Sequence, residues 1–149
     1  MTARWKLLFG VLALTVLTAC ASSGVTTFAN DDGAIRGYDP VAYHTESRPV
    51  KGKANHTLVH NGATWHFASE ENRALFQRDP ERYAPAYGGF CAYGMSRGFA
   101  VSTDPDAWTI VDGTLYLNYS LGVRKTWLKN VPGNIERADA NWLKRSGKS

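Results

Sequence analysis

The sequence has two cysteines, Cys20 and Cys91, and neither a C-x-x-C nor an H-x-x-H spacing, so the usual ligand patterns of a zinc site are missing. It also lacks a phosphate-binding glycine loop and a dinucleotide fingerprint, which removes nucleotide chemistry from the leading readings. No apolar run approaches the roughly 18 to 20 residues that cross a bilayer as a helix, so a polytopic membrane protein is excluded. An excess of one charge is scarce too. The formal net charge of +4 falls to +2 once Arg4 and Lys6, in the leader described next, are left out of the count. The remaining Lys and Arg are scattered apart from a tail at Lys144, Arg145 and Lys148, so no phosphate-binding stripe and no nucleic acid partner is expected. Aromatic residues, by contrast, make up 12% of the chain and supply much of a core and its groove walls.

The first residues read as an export signal. Arg4 and Lys6 precede a mostly apolar run of 11 residues from Leu7 to Leu17, and small residues follow. Leu17-Thr18-Ala19-Cys20 resembles the lipobox of bacterial lipoproteins, in which the cysteine is lipidated and becomes the mature N-terminus. The resemblance implies a stable membrane anchor at Cys20, since more than one acyl chain is attached. The alternative is plain secretion with a cut after Ala21. The organisation expected is a signal peptide over 1–19, a lipidated polar tether over 20–30, one domain over 31–145 and a tail over 146–149. The location implied is the bacterial cell envelope, at the periplasmic face of the outer membrane.

Within the domain, His56 to His60 and Ala63 to Phe67 flank Asn61-Gly62, a dipeptide suited to a type I′ turn, and predict a β-hairpin. Ser69 then caps a helix with Glu70 and Glu71 in its first turn, ending near Arg78 because Asp79 precedes Pro80. The same grammar returns 51 residues later. Trp108 to Val111, Asp112-Gly113, Thr114 to Tyr119 and Ser120 repeat it, and Phe76 falls on Trp127, which predicts an internal duplication. One conflict accompanies it: Leu58, Trp65 and Phe67 share a face, whereas Trp108, Ile110, Leu115 and Leu117 fall on the opposite one. Either the copies bury different sides or one turn carries a bulge. Pro132 to Leu143 predicts a last helix. The fold class expected is α+β: two hairpins in one small antiparallel sheet, each followed by a helix, plus a C-terminal helix.

Gly62-Ala63-Thr64-Trp65-His66-Phe67-Ala68-Ser69, followed by Glu70 to Phe76 and Asp79-Pro80-Glu81-Arg82-Tyr83, resembles the YHS domain. Gly37 to Tyr43, Tyr87 to Met95, Asp112 to Tyr119 and Asn141-Trp142 extend the likeness to its exported, single-domain branch, in lipoprotein form. Better-known YHS domains are associated with heavy-metal, especially copper, transport. The cysteines some of them carry after the D-P-V opening and at the helix start are replaced here by Ala42, Ala68 and Asn72. In the exported branch, the resemblance implies, the position of Cys91 is sometimes a selenocysteine, which points to redox or soft-metal chemistry there.

Cys91 follows Gly88 and Gly89 and precedes Gly94, so its backbone has little side-chain cover. If it opens a helical turn, free N–H groups stabilise its thiolate. Met95 then lies on the same face, and a thiolate with a thioether suits Cu(I). The imidazoles that could supply a third ligand are His44, His56, His60 and His66, which cannot all converge; His66 and His44 are taken as the candidates, while Asp39 and Asp79 read as caps. Three functions follow: a lipid-anchored protein that binds copper rather than an enzyme, with Cys91, Met95, His66 and His44 as metal residues; a thiol redox protein in which Cys91 is catalytic and meets a peroxide or a redox partner protein; or an interaction module with an inert Cys91.

Overall fold

The computed structural model describes residues 26–147. The leader, Cys20, the first part of the tether and the last two residues of the tail lie outside that range. Two short antiparallel strands, β1 (Ala29–Asn30) and β2 (Gly33–Ala34), open the fold. A 3₁₀ turn at Ile35–Gly37 leads into α1 (Pro40–Thr45), a helix with proline in its first turn. The end of the stretch expected to be tether is part of the domain: Thr27 is buried, its hydroxyl donates to the Asn61 carbonyl, and the Phe28 N–H donates to the Gly88 carbonyl.

The first hairpin pairs β3 (Lys53–His60) with β4 (Ala63–Phe67), and α2 (Glu70–Arg78) and α3 (Pro80–Tyr83) follow. Ser69 caps α2 through the Asn72 N–H, and Asp79 caps α3 through the Arg82 N–H. A second 3₁₀ turn at Ala86–Gly89 leads to α4 (Ala92–Ser96). Next come β5 (Asp104–Val111), β6 (Thr114–Asn118) and α5 (Leu121–Trp127). A 3₁₀ turn at Leu128–Asn130 then joins the long α6 (Val131–Ser146). The architecture is α+β, as the patterning predicts. The hairpins nevertheless form separate two-stranded sheets rather than one, because their contact is made through side chains and not through an edge ladder.

The duplication is real and longer than the sequence pattern shows. Leu58 pairs with Trp65 and Thr109 with Tyr116 at equivalent places, and both hairpins break register at the same point, between Lys53 and Thr57 and between Asp104 and Trp108. Asn61 and Gly62 turn with φ of 49° and 74°, Asp112 and Gly113 with 50° and 78°. Ser120 caps α5 through the Val123 N–H as Ser69 caps α2. Upstream, with one residue fewer between helix and hairpin, Ile35-Arg36-Gly37 and Tyr87-Gly88-Gly89 all carry positive φ and enter α1 and α4.

The conflict over faces resolves through burial. Tyr116, the counterpart of Trp65, stacks at 5.3 Å on Trp127, while Trp65 stacks at 5.2 Å on Phe76. Each unit thus builds its own core from the same face. The opposite face of β6, with Leu115 and Leu117, is buried as well and closes the core around Trp65, Phe67 and Phe76. The second core gathers Tyr87, Phe90, Met95, Tyr116, Trp127 and Ala138 under α6. An inner strand with both faces covered reads as a continuous apolar run, which is why Leu115 and Leu117 masked the repeat.

Candidate functional site

The residues that open α1 and α4 occupy equivalent seats. In the first unit Asp39 is fully buried. One carboxylate oxygen accepts from the N–H groups of Val41 at 2.8 Å and Ala42 at 3.4 Å. The other accepts from the Ala68 N–H at 2.8 Å and from Asn72 Nδ2 at 2.7 Å. The Asp39 N–H itself donates to the Val50 carbonyl. A carboxylate is thus held by two donors of its own helix and by two donors beyond the neighbouring β4 strand.

In the second unit Cys91 takes that seat. Its N–H donates to the Val101 carbonyl, the equivalent of Val50. Its sulfur accepts from the Gly94 N–H at 3.3 Å, within its own helix, and from the Tyr119 N–H at 3.3 Å, just after β6. Tyr119 is the equivalent of Ala68. Backbone N–H groups thus meet the sulfur as they meet the carboxylate of the first unit. Cys91 is only 1% exposed, so the sulfur is covered, and polar groups are among its neighbours.

The third neighbour is Asn118, wholly buried at the end of β6. Its Oδ1 accepts from the Tyr93 N–H at 3.1 Å and from the Cys91 thiol at 3.6 Å. Oδ1 being engaged there, Nδ2 is left buried without an acceptor among the described residues. Phe67 holds the corresponding position in the first unit. An amide where the repeat has a phenyl ring was the sequence signal for this residue, and reasoning from the cysteine alone passed over it.

The other candidate residues are spread out. Met95 lies one turn along α4, its N–H donating to the Cys91 carbonyl, and its side chain is packed in the second core. His44 closes α1 in the first unit, edge-on to Tyr83 at 5.5 Å, with Nε2 buried and unpartnered among the described residues. Burial holds its imidazole below the ordinary value, Arg82 adds to this, and a backbone bond at Tyr83 opposes it. His66, on β4, lies against Gly33 and Gly52, where an added Cβ would sit 2.8 Å and 2.6 Å from its side chain. Among the described residues no group of three His, Cys, Asp or Glu side chains is placed to hold a metal, so Cys91, His44 and His66 do not converge. Cys20 lies outside the described residues.

A cleft of about 400 Å³ lined by Arg36, Thr103, Asp104, Pro105 and Tyr119 adjoins the seat, reaching the residue whose N–H holds the sulfur. Tyr119 itself is 55% exposed.

Residues 41–87 match the YHS domain family, so the chain contains a YHS domain over its first unit. The match starts just after Asp39 and stops short of Cys91, leaving the second unit and the sulfur outside it. No curated protein and no solved structure matches the chain.

Proposed function

We propose that this YHS-domain-containing chain is a thiol redox protein whose reacting group is Cys91. The observation that carries the reading is the exchange of a carboxylate for a sulfur in one duplicated seat. The Gly94 and Tyr119 N–H groups meet Cys91 as the Val41, Ala42 and Ala68 N–H groups meet Asp39. A sulfur held by directed backbone N–H groups is the candidate reacting atom of the chain. The test is labelling of the native protein by a small thiol reagent, with Cys91→Ser as the blank. Labelling of the folded protein is expected; labelling that appears only after unfolding overturns the reading.

The copper reading retains one pair, Cys91 with Met95, one turn apart and both buried. Cu(I) competition separates the two functions, since a metal site loses affinity in Met95→Leu and a thiol redox site does not depend on the thioether. The lipobox at Leu17 to Cys20 supports an envelope protein anchored through Cys20. Release of the chain from membranes in a Cys20→Ser variant tests that part independently.

A further inference from the structure

We propose that the Cys91 seat takes up one oxygen atom. A hydroperoxide as small as hydrogen peroxide oxidises the sulfur to sulfenic acid, and Asn118 Nδ2 donates a hydrogen bond to the added oxygen. This rests on the thiol reading above and names its oxidant. The first support is Asn118, whose carboxamide is wholly buried beside the sulfur with one end satisfied by Tyr93 and the other unpartnered. A buried donor left unmade is costly, and the first unit shows that the same position accepts a plain hydrophobe, Phe67. That carboxamide already meets the sulfur, its Oδ1 accepting from the Cys91 thiol at 3.6 Å, so Nδ2 lies within an amide's width of that contact and lacks an acceptor among the described residues. An oxygen on that sulfur is such an acceptor.

The second support is size. Thiol–disulfide exchange needs three sulfurs in line and room for the chain or peptide that carries them. Cys91 is 1% exposed, so a bulky disulfide has no approach without opening the fold. Hydrogen peroxide, with two heavy atoms, needs a far smaller opening, and the cleft lined by Tyr119 reaches the residue whose N–H bonds the sulfur. In the step, the Cys91 thiolate attacks one peroxide oxygen; the S–O bond forms, the O–O bond breaks, and sulfur gives up two electrons. The departing hydroxide takes the proton released by the thiol and leaves as water. Cys91 is the free cysteine among the described residues, so the product has no intramolecular thiol there with which to condense.

The experiment uses the full chain with Cys20→Ser, so that Cys91 is its sole thiol. It is treated separately with hydrogen peroxide and with oxidised glutathione, and followed by intact mass and by trapping with a 1,3-dione reagent. Peroxide is expected to add a single oxygen that the dione captures, at least about tenfold faster than glutathione adds to the sulfur. Asn118→Asp keeps an oxygen for the Tyr93 N–H but removes the donor, and is expected to shorten the life of the sulfenic acid about tenfold. Equal lifetimes in the two proteins overturn the role of Asn118. Faster reaction with glutathione overturns the peroxide assignment and leaves Cys91 a reactive thiol. If neither oxidant reacts with the native protein while both react after unfolding, the thiol reading falls as well. Should Asn118→Asp lose its cooperative melt, the ratio of the two oxidants on the parent protein decides alone.

Discussion

The two units seat different chemistry in the same backbone. Asp39 has four donors on its two oxygens, one of them the Asn72 side chain, and so is satisfied as a structural cap. Cys91 has two donors on one sulfur. Where Asn72 reaches the carboxylate, the equivalent Val123 carries no polar group, and where Phe67 fills the core, Asn118 brings an amide whose Nδ2 has no partner among the described residues. A duplicated fold lets one copy keep the stabilising arrangement while the other departs from it, because folding needs the helix capped in both but a saturated network in only one.

The largest effect expected from this difference is at Asp39. Asp39→Ala strips an acceptor from four donors in the interior and is expected to cost about 3 to 5 kcal/mol. Cys91→Ala, which removes a weaker cap with two donors, is expected to cost about 1 to 2 kcal/mol. Denaturant unfolding of both variants checks the order; equal losses would mean that Cys91 is as structural as Asp39.

Next come the turns that enter the two seats. Gly88 has φ of 61° and an added Cβ would lie 1.8 Å from the Thr26 carbonyl oxygen, so Gly88→Ala must displace backbone, at about 3 kcal/mol or more. Its counterpart Arg36, at φ 60°, tolerates a side chain and donates through Nε to the Thr103 carbonyl. Arg36→Gly is expected to change stability by no more than about 1 kcal/mol, since relief of the left-handed backbone offsets the lost hydrogen bond. Melting temperatures of the pair read this out.

The smallest is a pH effect confined to the first unit. His44 closes α1 at the place where Ser96, its hydroxyl satisfied by the Tyr93 carbonyl, stands in α4. The unfolded chain protonates His44 near 6.5 and the folded chain only below that, owing first to burial. The stability this gives is fully present above pH 6.5 and is lost as pH falls through the lower folded value, because the unfolded state then binds more protons. A shallower loss of stability below pH 6.5 in His44→Phe is expected; an unchanged profile would detach the ring from the effect.

Much of this was legible from residues in order. The Asn61-Gly62 and Asp112-Gly113 turns, the Ser69 and Ser120 caps, the Asp39 and Asp79 caps and the repeat at 51 residues are local features that neighbouring atoms decide. The single sheet was misread, because alternating patterns identify strands but not which edges meet. The opposed faces of the hairpins looked like a flaw in the repeat until β6 proved to be covered on both sides. For the site, glycine spacing drew attention to Cys91, yet its partners Tyr119 and Asn118 lie 28 and 27 residues away, and His44 and His66 were grouped with it on chemistry that their positions in the first unit do not join.

The order of residues determined which segments form strands, turns and helices and how each helix begins, since backbone sterics and capping bonds act over a few positions. It also determined that one sulfur would stand between glycines. Only the tertiary structure decided that this sulfur inherits a carboxylate's seat with a spare amide beside it, because hydrogen bonds across a duplicated fold depend on where distant segments end in space.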